Sequence, residues 1–257
     1  MIRFFWQCSF IFRSELNRAV KIFPTEEDLA ETFADDLINR IKNAGKINKS
    51  FTVALSGGGT PKILFDILAE KSNKSIGWNQ VHFFWVDERC VPPSDHESNF
   101  GMTKNILLNK INIPEKNIHR IHGEADPLKE ADRYSREVLK HNRKINNLPL
   151  IDVVLLGMGD DGHTASIFPG NLNLFNSEKI CEVASHPFTG QKRITLTGKV
   201  INNADAIFFI VTGSSKAVIV EQIFKEDPLS VNYPATYIKP FHGSLTWLLD
   251  KKAGKFI

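Results

Sequence analysis

The residue types suited to acid–base chemistry concentrate in one stretch, Gly157-Met158-Gly159-Asp160-Asp161-Gly162-His163-Thr164-Ala165-Ser166. A histidine closing a glycine-rich loop is held in place by the backbone. The ordinary imidazole pKa of about 6.5 suits such a group to accepting a proton near neutrality. A carboxylate from Asp160 or Asp161 would fix one ring tautomer and stabilise the cation formed on protonation. His163 is therefore the candidate general base, and Asp161, with Asp87 from a second motif, completes the candidate catalytic set. The other seven histidines, His82, His96, His119, His122, His141, His186 and His242, lack such a setting and read as surface or locally hydrogen-bonded side chains. Ser166 is an unsupported nucleophile, because no G-x-S-x-G elbow surrounds it.

A second group of residues suits a small anion. Ser56-Gly57-Gly58-Gly59-Thr60-Pro61 combines glycines, which let backbone N–H groups approach a ligand closely, with a helix start whose dipole favours negative charge. A purely structural tight turn would use the same residues, and neither the P-loop ending nor G-x-G-x-x-G is present, so a nucleotide is disfavoured. Asp87-Glu88-Arg89 places charges at a strand end: Asp87 to orient a sugar hydroxyl or a histidine, Arg89 to grip phosphate. The bland alternative is a solvated cluster whose charges satisfy one another. Asn99 is a polar contact or a helix cap, and Gly162 joins the binding set beside His163. Arg193 and Lys216 supply further cations, the latter at a helix start where a cation is unfavourable unless an anion lies nearby.

These residues need a scaffold that brings separate loops together, and the text alternates between strand-like and helix-like segments. Strands are expected at Ala19–Phe23, Phe51–Leu55, Val81–Val86, Ile151–Leu156 and Ala206–Val211, with RITLT also strand-like. Thr25 and Asp28 approximate a capping box for a helix whose Leu29, Phe33, Leu37 and Ile41 share a face. Further helices are expected over ILFDILAE, from about Asn99 to Leu108, through ADRYSREVLKH and from near Lys216. The expected architecture is a single α/β domain of three layers, Rossmann-like, a mostly parallel sheet with helices on both faces. Ligands of such sheets sit beyond the carboxyl ends of the strands, where the polar loops lie.

Taken in order, LSGGGTP, VDERCVP with the downstream SNF, LLGMGDDGHTASIFPG, RITLT, GSSKA, PATYIKP and LTWLLD resemble the 6-phosphogluconolactonase family. The resemblance runs from about Ala19 to Asp250. It implies hydrolysis of a phosphorylated sugar lactone in the cytoplasm, within the oxidative pentose phosphate pathway. It makes His163 the general acid/base, sets Ser56, Gly57, Gly58, Arg193 and Lys216 around the phosphate, and puts Asp87 and Arg89 in the same pocket. Gly59 stands where the family loop usually has Ser. The related amino-sugar phosphate deaminases carry Glu just before the proline of the Gly-His turn, where this chain has Phe168. A deaminase or isomerase, or a sensor that binds without turnover, are the competing readings.

Composition narrows the remaining classes. A hydrophobic fraction of 42% and a charged fraction of 24% are ordinary for a folded protein. A net charge of +3, without a dense basic block, gives no footprint for nucleic acid. The three cysteines show no zinc spacing and read as reduced structural thiols, and no motif calls for a metal or other cofactor. No apolar run approaches the ~20 residues of a membrane span. The opening MIRFFWQCSFIF only faintly imitates a signal peptide and is expected to be an edge strand, a loose tail or an over-long start. A monomer is expected.

Overall fold

The computed structural model describes residues 18–72 and 76–257, so the expectations for the opening stretch lie outside the described residues. Among the described residues, eleven strands follow in chain order: β1 (Arg18–Phe23), β2 (Phe51–Leu55), β3 (Val81–Trp85), β4 (Asp87–Arg89), β5 (Arg143–Ile145), β6 (Leu148–Leu150), β7 (Val153–Leu156), β8 (Cys181–Ser185), β9 (Lys192–Leu196), β10 (Ala206–Val211) and β11 (Ser244–Asp250). The helices are α1 (Glu26–Lys46), α2 (Gly59–Glu70), α3 (Asn99–Ile106), α4 (Pro127–His141), α5 (Gly198–Asn202) and α6 (Ala217–Phe224).

Six strands form a wholly parallel sheet in the order β1-β11-β10-β7-β2-β3. Every residue of β2, β7 and β10 is buried, as continuous apolar runs between helical layers require. With the flanking helices this is the expected three-layer α/β fold. Helix α1 starts where Thr25 accepts the Asp28 N–H, and its Leu29, Phe33, Leu37 and Ile41 are buried as their spacing demands. The capping is only half of the reciprocal box: Thr25 Oγ1 donates to the Asp28 carboxylate at 2.9 Å, so that side chain does not reach back to the backbone. Helix α4 begins four residues earlier than the ADRYSREVLKH pattern, because Asp126 caps it by accepting the Lys129 N–H at 3.0 Å.

The expected end of the third strand at Val86 hides a change of sheet. Val86 N–H still donates to Leu55 of β2, yet its carbonyl accepts from Leu196 of β9. Asp87-Glu88-Arg89 then leave the parallel sheet as β4, at one edge of an antiparallel sheet ordered β4-β9-β8. Chain connection runs from β2 outward to β3 on one side, and from β7 through β10 to β11 on the other. The order therefore reverses between β2 and β7, the switch point at which open α/β sheets form a crevice.

Candidate active site

The loops that follow β2 and β7 meet over that switch point. Between them lies a cleft of about 280 Å³ lined by Ser56, Gly57, Gly58, Gly59, Thr60, Asp87, Arg89, Asn99, His163, Arg193 and Lys216, together with Gly157, Met158, Gly159, Ala165 and Thr212. That volume suits a small molecule rather than a polymer segment. Eleven of the thirteen residues singled out from sequence thus line one cavity. Asp161 and Gly162 are the other two: Asp161 stands behind His163, and Gly162 belongs to the turn.

Asp161 Oδ1 lies 2.5 Å from His163 Nδ1 and also accepts the His163 backbone N–H at 3.0 Å. Burial opposes ionisation of Asp161, but the bonds from the His163 ring and backbone outweigh it and hold the carboxyl below its usual range. An ionised acceptor at Nδ1 makes that nitrogen the donor and leaves Nε2 with the lone pair. The pair fits only because residue 159 has no side chain: a Cβ on Gly159 would stand 2.1 Å from His163 Nδ1. Phe168 packs against the imidazole at 4.9 Å between ring centres and is 1% exposed.

The structure closes one of two expected roles for Asp87 and for Asn99, and corrects the expectation for Gly162. Asp87 does not orient the histidine, since Asp161 holds the ring; Asp87 is buried and accepts from Ser166 Oγ at 2.5 Å. Asn99 does not cap α3. Ser98 does, accepting the Gly101 N–H at 2.9 Å, and Asn99 instead donates its amide to the Asp87 carbonyl at 3.0 Å. Gly162 is not among the cleft-lining residues. It turns at φ 77° and packs beside Tyr233, supporting the loop from behind. The same fold accounts for Ser166, which is fully buried and committed to Asp87, away from any nucleophilic role.

The cations gather from three elements. Arg89 and Arg193 are directly opposed across β4 and β9. Like charges at opposed positions repel, a cost that a bound anion relieves. Arg89 gives one nitrogen to the Glu97 carbonyl at 2.6 Å, while its buried Nε has no partner among the described residues. Burial lowers the Arg193 pKa, with Asp87 the main opposing charge, and its guanidinium lies 5.4 Å above the Phe168 ring. Lys216 closes a 3-10 turn ahead of α6 and bonds Asp160 at 2.6 Å, which holds that carboxyl below its ordinary value.

Opposite these cations, α2 presents an N-terminus with no side-chain cap. Its N-cap residue Gly58 sits at φ 116°, where side chains strain the backbone. Thr60 Oγ1 and Thr212 Oγ1 lie 2.7 Å apart and tie the first turn of α2 to the loop after β10. The role of Thr212 as a cleft wall was not legible locally, because its contact partner is distant in sequence. The glycines 157 and 159 that line the cleft were visible only as part of the histidine loop.

Residues 24–247 match the family model described as glucosamine-6-phosphate isomerases/6-phosphogluconolactonase. A 6-phosphogluconolactonase of Haemophilus influenzae is 41% identical over 236 residues, covering 91% of this chain and 98% of its own. One from Treponema pallidum is 38% identical over 89% of this chain and 90% of its own. Among solved structures, the 6-phosphogluconolactonase of Trypanosoma brucei superposes with a TM-score of 0.81 at 26% identity, covering 92% of this chain and 97% of that one. The chain belongs to the glucosamine-6-phosphate isomerase/6-phosphogluconolactonase family.

Proposed function

We propose that the protein is a 6-phosphogluconolactonase, which hydrolyses 6-phospho-D-glucono-1,5-lactone to 6-phospho-D-gluconate in the oxidative pentose phosphate pathway. The observation that carries this reading is a carboxylate-oriented imidazole and a set of anion-seeking groups lining one small cleft. In this mechanism the substrate phosphate docks against the uncapped end of α2, Arg89, Arg193 and Lys216, with Asp160 giving up Lys216 to it. Anchoring at the far end sets the lactone carbonyl near His163. His163 Nε2 takes a proton from water as the oxygen attacks the carbonyl carbon. The tetrahedral intermediate then collapses, the bond to the ring oxygen breaks, and the imidazolium returns the proton to that oxygen. Asp161 stays ionised throughout and stabilises the cation. Asp87, with one oxygen engaged by Ser166, offers the other to a sugar hydroxyl.

Phe168 favours hydrolysis over amino-sugar isomerisation, because it sets an apolar ring against His163 where the family resemblance implies a carboxylate for a deaminase. A cysteine nucleophile is disfavoured too: burial pushes the Cys181 thiol up to about 12 and the Cys90 thiol up to about 11. Action in the cytoplasm as a single-domain monomer belongs to the same reading. One continuous hydrophobic core supports the single domain, and among the described residues no helix is long and apolar enough to cross a membrane.

The test is to supply 6-phosphoglucono-δ-lactone and follow acid release above the spontaneous rate. Wild type accelerates it, and His163→Ala loses about 10²–10⁴-fold in kcat. Binding without acceleration would make the protein a sensor, and turnover of glucosamine 6-phosphate in its place would make it a deaminase.

A further inference from the structure

Three histidines far apart in sequence meet at the other end of the edge strand. His82 is the second residue of β3, His119 follows a short 3-10 turn, and His141 ends α4. One ring nitrogen of each lies within 4.8 Å of the other two. His119 is buried at 4% exposure, while His82 and His141 are half-buried. Phe84 stacks on His119 with ring centres 4.5 Å apart, while His82 lies edge to edge with His119 in nearly the same plane, ring centres 5.1 Å apart. Beside them, Glu137 bonds His119 Nδ1 at 2.7 Å and lies 3.3 Å from His141 Nε2.

Glu137 is an acceptor, so His119 Nδ1 donates to it and Nε2 is left as the lone-pair nitrogen. That nitrogen stands 2.8 Å from His82 Nδ1, which supplies the hydrogen in the present arrangement. A carboxylate holding the far nitrogen of a histidine is the usual support of a metal-ligating imidazole.

We propose that His82, His119 and His141 bind a zinc-class divalent cation, with Glu137 orienting His119 and the cation replacing the hydrogen between His82 and His119. His82 then carries its proton on Nε2. Ligand nitrogens around tetrahedral zinc at 2.0–2.1 Å stand roughly 3.3 Å apart, so on binding His82 and His119 separate by about half an ångström from their 2.8 Å contact and turn to aim both lone pairs at the ion, with His141 adjusting to the same spacing. Three imidazoles select zinc, copper and nickel over calcium or magnesium, which prefer oxygen. The last turn of α4 adds a helix C-terminus, whose partial negative charge favours a cation. The site lies at the amino end of β3, whereas the proposed lactone cleft lies past its carboxyl end. It is therefore a structural clamp: it ties the edge strand, the segment after it and the end of α4, which lie 37 and 22 residues apart along the chain.

The test uses the full chain, stripped with a chelator and titrated with Zn²⁺ against a chromophoric competitor. Wild type takes up one Zn²⁺ per chain with micromolar or tighter affinity and melts at higher temperature with it. His82→Gln and His141→Gln, at half-buried positions, each weaken binding at least ~10-fold, and Glu137→Gln weakens it ~10–100-fold. His163→Ala binds as wild type does, and His82→Gln hydrolyses lactone at the wild-type rate. Cobalt in place of zinc shows the visible bands of a four-coordinate ion without thiolate charge transfer. The proposal is overturned if wild type binds no Zn²⁺ at micromolar concentration, if both histidine variants bind as tightly as wild type, or if His163→Ala abolishes uptake.

Discussion

Asp161 claims Nδ1 of His163, and this makes Nε2 the working atom of the proposed base. An amide in place of that carboxylate removes the charge that stabilises the imidazolium and admits the wrong tautomer. Asp161→Asn is expected to lower kcat by about 10²–10⁴-fold with KM little changed, in steady-state lactone assays. In the proposed mechanism Lys216 binds phosphate rather than moving protons. Lys216→Ala is expected to raise KM while kcat changes less, and Asp160→Ala to lower KM, because Asp160, 2.6 Å from Lys216, would compete with the proposed phosphate for it. At this scale the histidine loop was readable from local glycines and carboxylates. Asp161 was also the carboxylate expected, but the engagement of its neighbour Asp160 with Lys216 was not readable, since it depends on where the turn aims each side chain.

Among the elements, α3 shows what a strand-end charge can do once it is buried. The bland alternative puts Glu88 in a solvated cluster, yet it is 2% exposed and accepts the backbone N–H groups of Arg89, Asn99 and Phe100 and the hydroxyl of Ser98. Burial pushes its carboxyl up, and the three backbone bonds pull against that. Glu88→Ala strands these donors, and an unsatisfied buried donor costs roughly 1–3 kcal/mol each. Urea denaturation is expected to show a loss of at least about 2 kcal/mol, with Asn99 and Asp87 displaced and activity falling in consequence. The partner of Glu88 arrives through a returning loop, which local propensity does not encode. The same holds for Arg89 facing Arg193: each was visible as a cation, but their opposition is a matter of strand register.

On the scale of the molecule, acid should act through carboxylates held down by partners. Hydrogen bonds from Arg120 keep Glu124 at about 2, below its ordinary 4.5. A folded-state pKa below the unfolded one means that the stabilisation is full above about pH 4.5 and is lost as pH falls towards 2. Thermal melts over that window are expected to decline more steeply for wild type than for Glu124→Gln, by a modest margin that salt reduces, since the pair is partly exposed. The sequence by itself determined the alternation of strands and helices, the apolar faces, and the two glycine loops, because period and turn chemistry are local. It also carried the family resemblance. Only the tertiary structure decided that β4 leaves the parallel sheet, that the sheet reverses between β2 and β7, and that His82, His119 and His141 share one place. Strand order and register arise from contacts between distant segments, and those contacts are settled by packing the whole core at once.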